Sequence, residues 1–430
     1  MAQQTFQRPR GTEDILPTDM RYWRFVQEAA DEVGRLYGFS PVLTPTFEYT
    51  GVFARTSGAG TDVVDKEMYT FEDRGGDSLT LRPEVTAQVV RAYLQHGMHT
   101  LPQPVRLYYS GLPAFRYDRP QAGRLREHHQ FGCEVIGEAG AAVDAELIEL
   151  LLHFYERLGL RDLTLLLNTI GCPLCRPAYL EKLVAYYQPY QDVVCEDCRV
   201  RLTRNPLRLL DCKKPGDQPI IAGAPRMLDM LGPECQSHWD DLRGALAARD
   251  IAYTVEPRLV RGLDYYTKTV FEVVPQREGA QSTIGSGGRY DGLAEALGGK
   301  PTPGIGFATG IERIILNLKE QGLVLEPPPR AEVYVAALGE GARDSAPRLL
   351  SRLRQDGIAA LGSPTPRSLK AQLREANAAG AALACIIGDD EVAAGVVMVK
   401  DLRAEGGAQE RVNLAGLVAY IRSRREGGDG

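Results

Sequence analysis

The chain has 430 residues, 25% of them charged and 44% hydrophobic, which is enough for roughly three domains at about 150 residues each and excludes a single small binding module. Fifty Lys and Arg against 56 Asp and Glu leave a formal charge of −6, so no global positive field gathers nucleic acid and any RNA contact must be local. No apolar run approaches the roughly 20 residues that cross a bilayer, and the start MAQQTFQRPRGTED lacks the apolar core of a secretory signal, so a cytoplasmic chain with no membrane partner is expected.

In chain order, Trp23, Val26, Ala30, Val33 and Tyr37 recur at steps of three and four, which predicts an amphipathic helix capped by Thr18 and closed by Gly38. A second helix is expected from Asp144, read as its N-cap, through Leu147, Ile148, Leu151, Tyr155 and Leu158. His153 inside it reads as ordinary helix surface or core. Between the helices, segments such as Ser78 to Leu81 and Val105 to Tyr109 read as strands, giving an α+β domain with an antiparallel sheet flanked by helices. From about Asn168 to Trp239 the chain turns rich in Cys, Pro and Arg, and then the strand and glycine pattern resumes. This predicts a small inserted domain, 168–240, dividing a larger one into 1–167 and 241–325. The run EQGLVLEPPPR suits a semi-rigid linker. Beyond it, 331–430 reads as a small α/β domain with strands Val333 to Leu338, Leu383 to Ile387 and Val396 to Lys400, helices Ser345 to Gly357 and Lys370 to Gly380, and a frayed REGGDG tail.

Three stretches carry polar groups that a packed core would not want. Arg116 to Arg126 holds four arginines in eleven residues, with Pro120 and Gly123 breaking any helix, and so reads as an arginine-lined turn between strands. Its planar forks suit phosphate oxygens, although a solvated loop would look the same. The following strand sets Gln130 and Glu134 on one face at even spacing, and a polar face beside an arginine turn is a pocket candidate. LVRGLDYYTKTVFE, followed by IGSGGRYDGL, brings Arg261, Tyr265, Tyr266 and Tyr290 beside glycines that allow close backbone approach. PGIGFATGIERIILNL is a glycine-rich strand entering a helix with Arg313 on its first turn and Ile311, Ile314, Ile315 and Leu318 as a buried stripe.

With YGFSPVLTPTFE ahead of them, the first and third of these stretches resemble motifs 1, 2 and 3 of class II aminoacyl-tRNA synthetases in order, the second resembles the histidine motifs of the histidyl-tRNA synthetase family, and the similarity covers nearly the whole chain. Motif 1 resembles YGFSPVLTPTFE, with Pro45 at the family's dimer interface, and TLRPEVTAQ resembles its amino-acid-binding stretch. RGLDYYTKTVFE is the most specific piece. RSLKAQLREA and IIGDDE resemble an anticodon-binding domain. Motif 2 departs from the pattern: Gly111 to Arg116 is one residue longer than usual, which predicts a reshaped approach to the arginine, Val85 replaces a common glycine, and Asp118 stands where glutamate is frequent.

The resemblance implies activation of histidine by ATP, accompanied by Mg²⁺, and transfer to tRNA(His) by a homodimer. It implies Arg116 on the α-phosphate, Arg313 on the distal phosphates, and Arg261 where related enzymes place a divalent cation. Glu134 and Tyr266 are assigned to the imidazole and Glu84 and Thr86 to the α-amino group. Val85, Gln130, Tyr265 and Tyr290 complete the histidine site. An alternative is the family's histidine-sensing paralogue, the regulatory subunit of ATP phosphoribosyltransferase, which usually lacks the terminal domain and erodes these arginines.

Cys172-Pro-Leu-Cys175 and Cys195-Glu-Asp-Cys198, 19 residues apart, fit the spacing of a single tetrahedral Zn²⁺ site, with Cys212 as a substitute ligand. Cys133, Cys235 and Cys385 read as small buried residues. Arg199, Arg201, Arg204, Arg208, Lys213 and Lys214 read either as a tRNA acceptor-arm contact or as a solvated face.

Overall fold

The computed structural model describes residues 6–57, 67–117, 125–276, 283–403 and 409–426. Asp118, Arg119, Arg124 and residues 427–430 of the tail lie outside the described residues. The chain forms two compact units, 1–325 and 326–430. No helix among the described residues is long and apolar enough to cross a membrane.

The first unit opens with α1 (Pro17–Leu36), β1 (Ser40–Pro41), β2 (Phe47–Tyr49), α2 (Thr50–Ser57), β3 (Tyr69–Glu72), β4 (Ser78–Leu81) and α3 (Thr86–Gln95). The long strands β5 (Val105–Phe115) and β6 (Glu127–Ile136) follow, then α4 (Ala141–Arg157) and β7 (Leu163–Thr169). After the cysteine-rich segment, with α5 (Arg176–Tyr187), α6 (Glu196–Arg204), α7 (Gln218–Ala222) and α8 (Pro233–Ala247), come β8 (Thr254–Val255), β9 (Thr267–Pro275), β10 (Gly285–Arg289), α9 (Leu293–Ala296), β11 (Gly304–Gly310) and α10 (Ile311–Glu320). Eight strands make one sheet in the order β1-β5-β6-β11-β10-β9-β7-β8. Its six central strands pair antiparallel, and the short edge strands β1 and β8 pair parallel. One face is buried under α1, α4, α8 and α10 through Val26, Val33, Leu147, Leu151, Trp239, Leu242, Ile314 and Leu318. The other face is partly covered by α3 and α9, whose Val89, Val90, Tyr93 and Leu293 pack with Leu107, Tyr109 and Leu112 of β5.

Two helix starts differ from expectation. Helix α1 begins at Pro17, whose fixed φ and missing N–H suit a first helical position, so Thr18 lies inside the first turn and the N-cap is Leu16, with no side-chain bond. Helix α4 begins at Ala141, which places Asp144 within its first turn, fully buried. There its carboxylate forms an ion pair with Arg289, whose Nη2 lies 2.7 Å away, and accepts from Arg289 Nε at 3.0 Å, Thr269 Oγ1 at 2.6 Å and His238 Nε2 at 3.0 Å. Asp144 is a buried anion joining α4, β9, β10 and α8 rather than a cap.

The inserted segment is smaller than 168–240. Asn168 and Thr169 belong to β7, while Trp239 and Leu242 of α8 pack in the main core. Between them Tyr179, Leu183, Tyr187, Leu202, Leu209 and Ile221 form a separate small core, closed by Leu259, Leu263 and Tyr266.

The second unit contains β12 (Val333–Leu338), α11 (Glu340–Gln355), β13 (Ala360–Gly362), α12 (Leu369–Ala378), β14 (Leu383–Gly388), α13 (Asp389–Ala393), β15 (Val396–Asp401), β16 (Gln409–Asn413) and α14 (Leu417–Glu426). The sheet order is β13-β12-β14-β15-β16. Along β12, Val333 and Val335 face the α11 and α14 side while Tyr334 and Ala336 face α12, so period-two alternation fills two cores at once. The extra residue before Arg116 in the first unit is absorbed by a bulge: pairing of β5 with β6 shifts between Ser110 and Leu112, with Gly111 at φ +72°.

Candidate active site

A cleft of about 300 Å³ opens beside α3, on the sheet face opposite α1 and α4. Glu84, Val85 and Thr86 reach it from the start of α3, Arg116 from the end of β5, Gln130 from β6, Arg261, Tyr265 and Tyr266 from the loop before β9, and Arg313 from the first turn of α10. Glu134 and Tyr290 lie immediately beneath: Tyr290 donates to Glu134 Oε2 at 2.6 Å and Thr86 Oγ1 donates to Oε1 at 2.7 Å. Residues far apart in the chain thus converge on one polar pocket, because the strands carrying them are neighbours.

Each polar group is held by tertiary contacts. Glu84 accepts the Ala87 backbone N–H at 3.1 Å, which satisfies one of the open donors at the start of α3. Val85, standing where a glycine is common, has φ −105° and needs no left-handed backbone. Arg116 donates to the Pro83 carbonyl at 3.0 Å, and Arg313 to the Thr283 carbonyl at 2.7 Å. Arg261 pairs with Glu272 and donates to Ser286 Oγ at 2.7 Å, with its guanidinium 5.6 Å from the centre of the Tyr266 ring. Two buried atoms, Arg261 Nε and Gln130 Oε1, have no hydrogen-bond partner among the described residues. Buried polar groups are rarely left so, and both belong to residues lining the cleft, where a ligand would satisfy them.

Burial shapes the protonation of the site. Glu134 is pushed up to about 8 by burial, against the hydrogen bonds from Tyr290 and Thr86 that favour its charge. Burial also raises Glu84. His128, which lines the cleft, is pushed down to about 3 by burial and by Arg116 and Arg313 beside it, so its ring is neutral. For Arg261, burial works against the charge, but Glu272 and Tyr266 outweigh it and the pKa rises. The pocket therefore offers three fixed guanidinium groups for an anion, next to a buried carboxyl for a polar, uncharged partner.

The glycines are required by these side chains. A Cβ on Gly306 would lie 1.7 Å from Glu134 Oε2, and one on Gly304 would lie 2.3 Å from the Tyr290 ring. Sequence reasoning gave no role to Glu272, Ser286, Tyr109 or His128. Glu272 had a signal, a carboxylate ending the LVRGLDYYTKTVFE stretch eleven residues after Arg261. Tyr109 had none, because an aromatic residue on an apolar strand reads as core.

The four cysteines expected at one site are not together. Cys172 and Cys175 meet Cys235, whereas Cys195 and Cys198 meet Cys212 and Asp217. Cys133, Cys235 and Cys385 are all buried as expected, the first and last within strands, and Cys235 stands against the Cys172 and Cys175 thiols. The two short Cys-x-x-Cys turns stand at the starts of different helices, α5 and α6, that carry them apart.

Comparison with known proteins follows the same division. Residues 11–173 and 221–314 match the family model described as Histidyl-tRNA synthetase, and residues 332–424 match that described as Anticodon binding domain. The histidine–tRNA ligase of Dehalococcoides mccartyi (strain ATCC BAA-2266 / KCTC 15142 / 195) is 53% identical over 419 residues, 97% of this chain and 100% of that protein. That of Moorella thermoacetica is 51% identical over 423 residues, covering 98% and 99%. The crystal structure of apo S. aureus histidyl-tRNA synthetase superposes with a TM-score of 0.82 at 39% identity, covering 97% of this chain and 100% of that one. Sheet, cleft and matches define a class II aminoacyl-tRNA synthetase, an ATP-dependent ligase. Within that class, the chain belongs to the histidyl-tRNA synthetase family.

Proposed function

We propose that the chain activates histidine with ATP, forming histidyl-adenylate and pyrophosphate, and then transfers the histidyl group to the 3′ end of tRNA(His). The observation that carries this reading is the buried Glu134 carboxyl, held by Thr86 and Tyr290 directly beneath a cleft that three guanidinium groups line. Attack of the histidine carboxylate on the α-phosphate builds negative charge there, and fixed cations stabilise it without reorganising. Arg116 takes the α-phosphate, Arg313 the distal phosphates, and Arg261, with its open Nε, the reacting carboxylate and phosphate oxygens. Neutral imidazole offers one donor and one acceptor, which a carboxyl beside tyrosine hydroxyls can distinguish from an apolar isostere. Glu134 and Tyr266 read the ring, Glu84 and Thr86 the α-amino group, and Val85, Gln130, Tyr265 and Tyr290 the rest of the amino acid.

Magnesium is expected with the β- and γ-phosphates. Glu272 and Glu312 line the cleft with carboxylate oxygens, the hard donors that this ion prefers beside phosphate. Bound there it would neutralise phosphate charge. Unit two supports tRNA as partner through its match to an anticodon-binding domain. A homodimer is supported by the apolar edge around motif 1, where Leu43 is 81% exposed and Phe47 and Tyr49 are more than half exposed. The place of work is the cytoplasm, with the translation machinery. The regulatory-subunit alternative is weakened by the joint presence of Arg116, Arg261, Arg313 and the second unit.

The test is ATP–pyrophosphate exchange with each of the twenty amino acids. Stimulation by histidine alone is expected; stimulation by a different amino acid, or by none, overturns the reading.

A further inference from the structure

We propose that Cys195, Cys198, Cys212 and Asp217 form a closed site for one structural zinc ion, distinct from the single Cys-x-x-Cys/Cys-x-x-Cys site that spacing predicts. Three thiols and one carboxylate place their ligand atoms within 4.8 Å of one another. Cys195 Sγ and Cys212 Sγ are 3.7 Å apart. A tetrahedral zinc with Zn–S bonds of about 2.3 Å holds its sulfurs about 3.8 Å apart, so these two already stand at the separation the ion imposes. The cysteines are free thiols rather than disulfides.

The carboxylate is the informative member. Asp217 is 3% exposed and has no cationic partner among the described residues. A buried carboxylate without a cation is costly. Its neighbours are instead the Cys212 thiol at 3.1 Å and the Cys195 backbone N–H at 3.1 Å. That N–H holds the carboxylate facing the three sulfurs, and the Lys214 N–H donates to Cys212 Sγ at 3.4 Å in the same way. Backbone N–H donors that orient ligand atoms are the outer shell a metal site needs.

The surrounding chain explains what the ion would do. Cys195 is the N-cap of α6 and Cys198 lies in its first turn, while Cys212 follows the short 3-10 helix Pro206–Asp211 and Asp217 ends the single-turn helix Pro215–Asp217. Such short turns hold few backbone hydrogen bonds of their own, so a four-ligand cross-link fixes the segment to the start of α6. The second thiol group, Cys172, Cys175 and Cys235, has three members and no fourth ligand among the described residues, so the inference is confined to the four-donor group.

Full-length protein is purified without chelator and its metal content measured beside Cys212→Ser and Asp217→Asn. The wild type is expected to carry one zinc per chain more than Cys212→Ser. Asp217→Asn keeps the shape of the side chain, so it also reads the site if the serine variant fails to fold. Its zinc should pass to a chromogenic chelator at roughly tenfold lower chelator concentration, the scale set by losing an anionic donor or its support. Cobalt added to chelator-treated wild type should give thiolate charge-transfer bands that Asp217→Asn alters. Equal zinc in wild type and Cys212→Ser, unchanged chelator competition in Asp217→Asn, or iron in place of zinc would overturn the proposal and leave the thiols as a hydrogen-bonded cluster.

Discussion

The cleft and the cysteine-rich segment are both assemblies of polar side chains, yet the sequence reports on them very differently. In the cleft, Glu84, Arg116, Gln130, Arg261 and Arg313 come from five separate stretches and still meet, because neighbouring strands and the helix starts beside them carry those stretches to one face. In the cysteine segment, two Cys-x-x-Cys turns look like one cluster in the sequence and belong to two separate ones. Regular spacing along a chain does not imply proximity in space when each pair starts its own helix. A site built on a sheet inherits its geometry from strand pairing, whereas a site built on short turns depends on where each turn docks.

That contrast can be broken or sharpened by substitution. The largest effect should fall on the frame of the cleft. Asp144→Ala leaves the fully buried Arg289 without its main partner and is expected to cost about 3–5 kcal/mol in denaturant unfolding. A loss below about 0.5 kcal/mol would return Asp144 to the status of an ordinary helix residue.

Next in size is Arg261→Ala. Removing one preorganised charge from the reacting centre should slow histidine-dependent pyrophosphate exchange by about 10²–10³-fold, with the folded circular dichroism spectrum retained. Exchange like the wild type's in a folded variant would remove Arg261 from the chemistry.

The smallest is Glu134→Gln, which keeps the shape but changes the hydrogen-bonding pattern, and should raise the KM for histidine at least about tenfold. It also carries a pH signature. Burial raises the folded pKa of Glu134 from 4.5 to about 8, so the folded state holds this proton more tightly than the unfolded one. Its contribution to stability is complete below the unfolded value and is lost as pH rises through about 8. Across that window the thermal midpoint of the wild type should fall relative to Glu134→Gln; parallel curves would show that Glu134 ionises as freely folded as unfolded.

Much of the framework was legible in one dimension. The strand Val333–Leu338 is found with the bounds read from the sequence, and α1 carries its apolar stripe Trp23, Val26, Ala30 and Val33 into the core. Both signals are local in the chain, an apolar strand-length run in one and a helical stripe in the other. The cleft was legible for a related reason: arginines, tyrosines and glycines were grouped in stretches that could not be packed as ordinary core. Less legible were features whose meaning depends on a partner. Thr18 looked like a cap until Pro17 took the first helical position, and the longer approach to Arg116 became a bulge once Gly111 adopted positive φ.

The sequence by itself determined the residue types available to each site, the periodicities that become helices and strands, and the order in which the polar stretches occur. Tertiary structure alone decided which cysteine faces which, that Asp144 neutralises Arg289, and that Gly306 must be bare for Glu134 to lie against the sheet. The physical reason is that hydrophobic periodicity is a property of a few turns of chain, while a hydrogen bond, an ion pair or a metal site needs two distant segments placed to within about an ångström of where they must meet.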